Sequence, residues 1–88
     1  MANILTGIID RNRKAIATGQ TVKMCYFSEG VEHEIEGVVR VKGFKYRQRQ
    51  FCVETLNGRR YTFSLMEKPH QQIVMIKDFQ YVKDKTII

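Results

Sequence analysis

Tryptophan is absent from this 88-residue chain, proline occurs once, at Pro69, and acidic residues number only nine. No apolar run nears the roughly 18 residues that a membrane-spanning helix needs, so a membrane is not among the expected partners. The opening segment, MANILTGIID, has no basic stretch ahead of its apolar residues, and Asp10 follows them at once. It does not read as a secretory leader, and a cytoplasmic protein of bacterial or phage type is expected.

Cysteine and histidine are equally sparse, at two each. Cys25 and Cys52 form no CxxC pair, and His33 and His70 are not spaced as the paired ligands of a zinc site. The cysteines read as small buried apolar groups, and no metal or cofactor is expected. Glycine-rich phosphate loops, HExxH and GxSxG are all missing. Glu32, Glu34 and Glu36 alternate along one strand face while His33 points the other way, which reads as a solvated or edge-protecting row. No catalytic residue stands out, and the chain is not expected to be an enzyme.

Fifteen Lys and Arg residues leave a net charge of +6, on a chain that is 43% hydrophobic and 27% charged. That balance suits a folded soluble chain rather than a disordered one, and the length implies one domain spanning 1–88. The surplus of positive charge favours an acidic partner.

Apolar periodicity divides the chain. Ile4, Leu5, Ile8, Ile9, Ala15 and Ile16 recur near helical spacing, with Asn3 as a cap and Gly19 as a terminator, so the spacing predicts a helix over 1–19. From Thr21 the period becomes two. Val22, Met24 and Tyr26 share a face. From Val31 to Lys42 a long strand puts Val31, His33, Ile35, Gly37, Val39 and Val41 on one side, and its other side turns from acidic to basic. Gly37, in mid-strand, marks an expected bend or bulge.

The Asn57-Gly58 pair suggests a two-residue hairpin turn, but that turn would set the apolar rows on opposite faces. A three-residue loop, Leu56 to Gly58, instead pairs Thr55 with Arg59, Val53 with Tyr61 and Phe51 with Phe63. Gln72 to Lys77 is a short strand, Phe79 to Val82 a further extended segment, and Gly43 to Gln50 a long loop. The expected fold is mainly β with one N-terminal helix: a small five-stranded antiparallel barrel of SH3-like or Sm-like type over 20–82, with a tail over 83–88.

The helix leading into VKMCYFSEG, the strand FCVETLNG and its return RRYTFSL together resemble the WYL domain, an Sm-like barrel of bacterial transcription regulators and defence systems. Size and helix-first layout are similar to the YolD-like family of small Bacillus-type and phage proteins, and the ring-forming Sm proteins share the element order. The resemblance implies a small barrel and nucleic-acid traffic. The stretch that would carry the WYL name falls at Phe51-Cys52-Val53, and the family's basic positions fall on Ser64 and Glu67.

The candidate site is VVRVKGFKYRQRQF, residues 38–51, which has no acidic residue. Arg40, Lys42, Lys45, Arg47 and Arg49 can meet phosphates, and Phe44 and Tyr46 can stack on unpaired bases, as single strands and RNA loops are read. Arg59 and Arg60 lie at the other end of the next strand and form a separate basic patch. The expected partner is nucleic acid, single-stranded DNA or RNA in preference to duplex. The alternative is an acidic protein, since Tyr and Arg are also favoured interface residues; the chain would then be an adaptor or a phage-type inhibitor. The Ile87-Ile88 end leaves homo-oligomer formation open.

Overall fold

The computed structural model describes residues 3–78. Seven strands follow one another along this part of the chain: β1 (Leu5–Ile9), β2 (Ala15–Ala17), β3 (Thr21–Ser28), β4 (Val31–Lys45), β5 (Gln48–Glu54), β6 (Arg60–Thr62) and β7 (Ile73–Lys77). A single 3-10 turn, Phe63–Leu65, and a four-residue helix α1, Pro69–Gln72, bridge β6 and β7. β1 and β2 form a two-stranded sheet, and the other five form an antiparallel sheet in the order β6-β5-β4-β3-β7.

The expected N-terminal helix over 1–19 is replaced by the β1–β2 hairpin. The pairs Ile4-Leu5 and Ile8-Ile9 satisfy helical spacing, yet their exposure alternates: Leu5, Gly7 and Ile9 face solvent while Ile4, Thr6 and Ile8 are half-buried. Gly7 has φ +86, outside helical backbone. The Asp10 carboxylate accepts the N–H groups of Asn12 and Lys14 through Oδ1, at 2.9 and 2.8 Å, which closes the connecting loop. The Thr6 hydroxyl donates to the Ile16 carbonyl at 2.8 Å. Asn3, expected as a cap, donates instead to the Thr18 carbonyl at 2.7 Å. Gly19 turns the chain into β3 with φ +95.

The five-stranded sheet is also not the expected closed barrel. β6 and β7 lie at its opposite edges. β6 runs for only three residues before the 3-10 turn ends its pairing. The outer edge of β7 is met by the β1–β2 loop, with the Arg11 N–H donating to the Ile73 carbonyl at 3.1 Å and the Met75 N–H to Asp10 Oδ2 at 2.9 Å. The segment 79–82, expected as a further strand, and the tail over 83–88 lie outside the described residues.

The later strands follow their apolar alternation. Val22 and Met24 are buried, Tyr26 packs beside them, and its ring stacks on its cross-strand partner His33 at 5.0 Å. β4 serves both hairpins: β3 pairs with its residues 31–38 and β5 with residues 38–45. At the changeover stands Gly37, whose pairing with β3 is regular. Its absent side chain is explained by space, because a Cβ there would lie 2.3 Å from the Glu54 carbonyl oxygen and 2.9 Å from Val53 Cγ1.

The three-residue loop between β5 and β6 has the expected register. Val53 pairs with Tyr61, the Thr55 N–H donates to the Arg59 carbonyl at 2.8 Å, and the Gly58 N–H donates to the Thr55 carbonyl at 2.9 Å. Gly58 takes φ +87, which glycine adopts without a Cβ clash. Phe51 and Phe63 meet with ring centroids 6.2 Å apart, although Phe63 has left the ladder.

Ile16 from β2 packs with Val22, Met24, Val39, Val53, Phe63, Met66 and Ile73 in one apolar cluster. Fully buried Ile, Val and Met side chains contribute about 1.5–3 kcal/mol each through removal from water. The two sheets therefore share one core, and the small N-terminal sheet is held to the large one by Ile16 and by the Asp10 carboxylate.

Candidate functional site

Residues 43–50 are expected as a long loop, but the structure pairs them. Gly43 faces Gln50, Phe44 faces Arg49 and Lys45 faces Gln48, leaving a two-residue turn, Tyr46-Arg47. Both turn residues have positive φ, 53 and 65, as the turn matching strand twist demands, and it favours Asn-Gly over side chains of this size. The β4–β5 hairpin thus runs on past the core to a tip bearing Tyr46, 87% exposed.

A bulge decides which way the tip residues point. The register shifts between Val41, opposite Phe51, and Gly43, opposite Gln50, so Lys42 is the extra residue. One inserted residue reverses the alternation of side chains. Phe44 and Arg49 consequently lie on the face of Val41 and Phe51, where an unbroken strand would have sent Phe44 to the other side. Phe44 is nevertheless 71% exposed, because the compact core ends before it.

Two recesses flank the hairpin. The first, about 530 Å3, lies between the tip and β1 and is lined by Leu5, Thr6, Phe44, Arg47, Arg49 and Phe51, with Gln48 at its rim. The Arg49 guanidinium carbon stands 5.8 Å from the Phe44 ring centroid. The second, about 390 Å3, brings Lys42 and Lys45 beside Gln50, Thr62 and Ser64, and Phe44 borders it as well. There the two hydroxyls are 2.7 Å apart, and Lys45 Nζ lies 5.6 Å from the Tyr46 ring.

The nine residues singled out in the sequence fall in three places. Lys42, Phe44, Lys45, Tyr46, Arg47 and Arg49 come together on the hairpin, and among the described residues no ion pair engages any of its cations. Arg40 and Arg60 instead converge on Glu54, with nitrogen–oxygen distances of 3.3 and 4.0 Å. Arg59 stands at the far loop beside Tyr61, which raises its guanidinium further above its ordinary value through a hydrogen bond and charge.

Leu5, Thr6 and Gln48 also line the first recess, and sequence reasoning missed them. Helical spacing assigns Leu5 to a helix, and nothing in its own surroundings signals that β1 runs beside the tip of a distant hairpin. Phe51 carries more signal, being the aromatic end of the basic stretch.

Nucleophilic chemistry has little support here. Burial pushes the Cys52 thiol up despite the opposing charges of Arg60, Lys42 and Arg40. Burial likewise raises Cys25, helped by Glu34 and Glu32. Thiols held in that form are weak nucleophiles. What the hairpin offers is a set of cations, engaged by no ion pair among the described residues, interleaved with exposed rings. No protein-family model, curated protein or solved structure matches the chain, so its likeness to small-barrel families rests on the sequence segments alone.

Proposed function

We propose that this chain is a non-enzymatic binding module for nucleic acid, single-stranded DNA or RNA in preference to duplex, and that it binds through the β4–β5 hairpin tip. One observation carries the reading. Lys42, Lys45, Arg47 and Arg49 have no acidic partner among the described residues, while Phe44 and Tyr46 beside them are 71% and 87% exposed. Cations without internal partners meet phosphates with little rearrangement and make affinity fall with salt as counterions are released. Exposed rings stack on bases without regard to sequence, at about 1–3 kcal/mol per base. Arg40 and Arg60, already engaged with Glu54, contribute less, and Arg59 sits apart.

The exposure of Tyr46 at the turn also suits a protein hot spot, so an acidic protein partner is the second reading. Fluorescence anisotropy of labelled single-stranded DNA, RNA and duplex at two salt concentrations separates them. Micromolar or tighter binding of single strands that weakens steeply with salt is expected. An absence of binding at low salt would overturn the nucleic-acid reading and leave the protein partner, to be sought by affinity capture from nuclease-treated lysate.

A further inference from the structure

The two sides of the hairpin differ in chemistry. Phe44 borders the recess on each side; toward β1 it is joined by Leu5, Phe51 and two arginines, and on the opposite side by lysines and hydroxyls. On the first side, Leu5 and Phe44 are 68% and 71% exposed, and Phe51 is half-buried behind them. Such an uncovered apolar surface, wedged between two elements and rimmed by Arg47 and Arg49, needs an occupant with a flat apolar face and a fixed negative charge close to it.

We infer that this groove holds one unpaired nucleobase, stacked on Phe44, with the adjoining phosphates met by Arg47 and Arg49. The inference rests on the nucleic-acid reading above and narrows it to a place and a stoichiometry. Its grounds are geometric. The bulge at Lys42 turns Phe44 toward β1, leaving Tyr46 alone at the outer end of the turn. Arg49 stands over the Phe44 ring at 5.8 Å, and the ring, 71% exposed, keeps surface on which a base can stack. Leu5 lines the same recess, a shallow depression open to solvent that a base can enter without displacing protein. Gln48, at the rim, supplies both a donor and an acceptor toward base edges. A base inside a duplex has both faces covered by its neighbours and can enter such a groove only by unstacking, which costs a few kcal/mol. The groove therefore discriminates against duplex by geometry, while the lysine side follows the backbone.

The test uses the full chain and two short single strands. One is built entirely of abasic sugar-phosphate, and the other is identical but for a single 2-aminopurine at its centre. For the wild-type protein, binding of the second strand is expected to be about tenfold tighter than that of the first, as one stacked base implies, and 2-aminopurine emission is expected to be quenched. Phe44→Ala removes the platform, and Phe44→Leu keeps an apolar side chain there without the ring. Phe44 is largely exposed, and both variants should lose the preference and the quenching yet still bind the abasic strand. Equal binding of the two strands without quenching would overturn the groove assignment and leave the nucleic-acid reading standing. A wild-type protein that binds neither these strands nor ordinary oligonucleotides at low salt would overturn both.

Discussion

Asp10 and Met75, separated by 65 positions in the chain, are joined by a 2.9 Å hydrogen bond from the Met75 N–H to Asp10 Oδ2. With Oδ1 taking the N–H groups of Asn12 and Lys14, one carboxylate closes the β1–β2 loop and fastens it to the edge of β7. Asp10 is only 2% exposed. Burial by itself would raise its carboxyl, but the bonds from Met75, Lys14 and Asn12, with the Lys14 charge, outweigh burial and hold it below the ordinary 3.8. A lowered folded-state value means that ionised Asp10 adds stability at neutral pH and that this part is lost as pH falls through the folded value. Asp10→Asn is expected to cost about 2 kcal/mol, since hydrogen bonds to a charged acceptor are worth more than neutral ones. The difference in urea midpoint between the two proteins should hold from neutrality into mild acid and shrink once pH drops below 3.8. A gap that widens in acid would show that Asp10 is not held ionised.

Gly37 sits where β4 passes from one hairpin to the other, with the Glu54 carbonyl in the space of its missing side chain. The obstruction at 2.3 Å is backbone, which cannot swing aside as a flexible side chain would. Gly37→Ala is expected to destabilise by about 1–3 kcal/mol, the usual cost of overpacking. Thermal melts would register it. A melt identical to wild type would mean that β5 can retreat without penalty.

Tyr46 and Arg47 hold a turn that suits smaller residues better. Replacing the pair by Asn-Gly should relieve backbone strain and raise stability by about 1 kcal/mol. The same change removes an exposed ring and a cation, so single-strand affinity should drop. Opposite movements of melting temperature and affinity are the expected signature of strain kept for function. A variant that gains stability with undiminished binding would remove the turn from the binding surface.

Lys45, Arg47 and Arg49 changed together to Ala should weaken oligonucleotide binding across sequences and flatten its salt dependence. Each phosphate contact with a single strand contributes about 0.7 to the slope of log affinity against log salt, so a decrease of about 2 is expected. Binding that is unchanged, in level and slope, would move the site elsewhere. Glu54→Ala offers a contrasting measurement. Its partners Arg40 and Arg60 are more than half exposed, at 54% and 55% for their side chains, and surface pairs of this kind contribute less than about 1 kcal/mol.

Much of the larger sheet is legible from residue types, because one face of each strand must leave water. Val22 and Met24 are buried as their alternation requires, and His33, Ile35, Gly37, Val39 and Val41 are the more buried side of β4, although Val31, assigned to the same row, is exposed; the shared facing of Val53 and Tyr61 is enough to choose a three-residue loop over the Asn-Gly turn. The first nineteen residues misled because Ile4, Leu5, Ile8 and Ile9 satisfy two periods at once. The tie was broken by tertiary events with no local trace, namely Asp10 reaching Met75 and Ile16 entering the common core. Closure into a barrel failed for a related reason, since the loop that Asp10 organises stands against the free edge of β7. In the candidate site, the basic and aromatic composition of residues 40–49 is plain, but Arg59 and Arg60 do not form the one patch expected of them, since Arg60 joins Arg40 at Glu54. The bulge at Lys42 leaves no trace in residue types, so neither the facing of Phe44 nor the nearness of Leu5 is legible in the sequence.

The order β6-β5-β4-β3-β7 has a bearing on how the chain reaches this state. β3 through β6 are successive neighbours, and hairpins of that kind zip within about 1–10 microseconds. β7, by contrast, must return past the whole meander to lie against β3. Until it does, the β3 edge, with Val22 and Met24 beside it, stands open as a template for any passing strand. Detachment of β7 would bare that edge, so the loop anchored by Asp10, by holding the seventh strand, also shields β3 from pairing with another molecule.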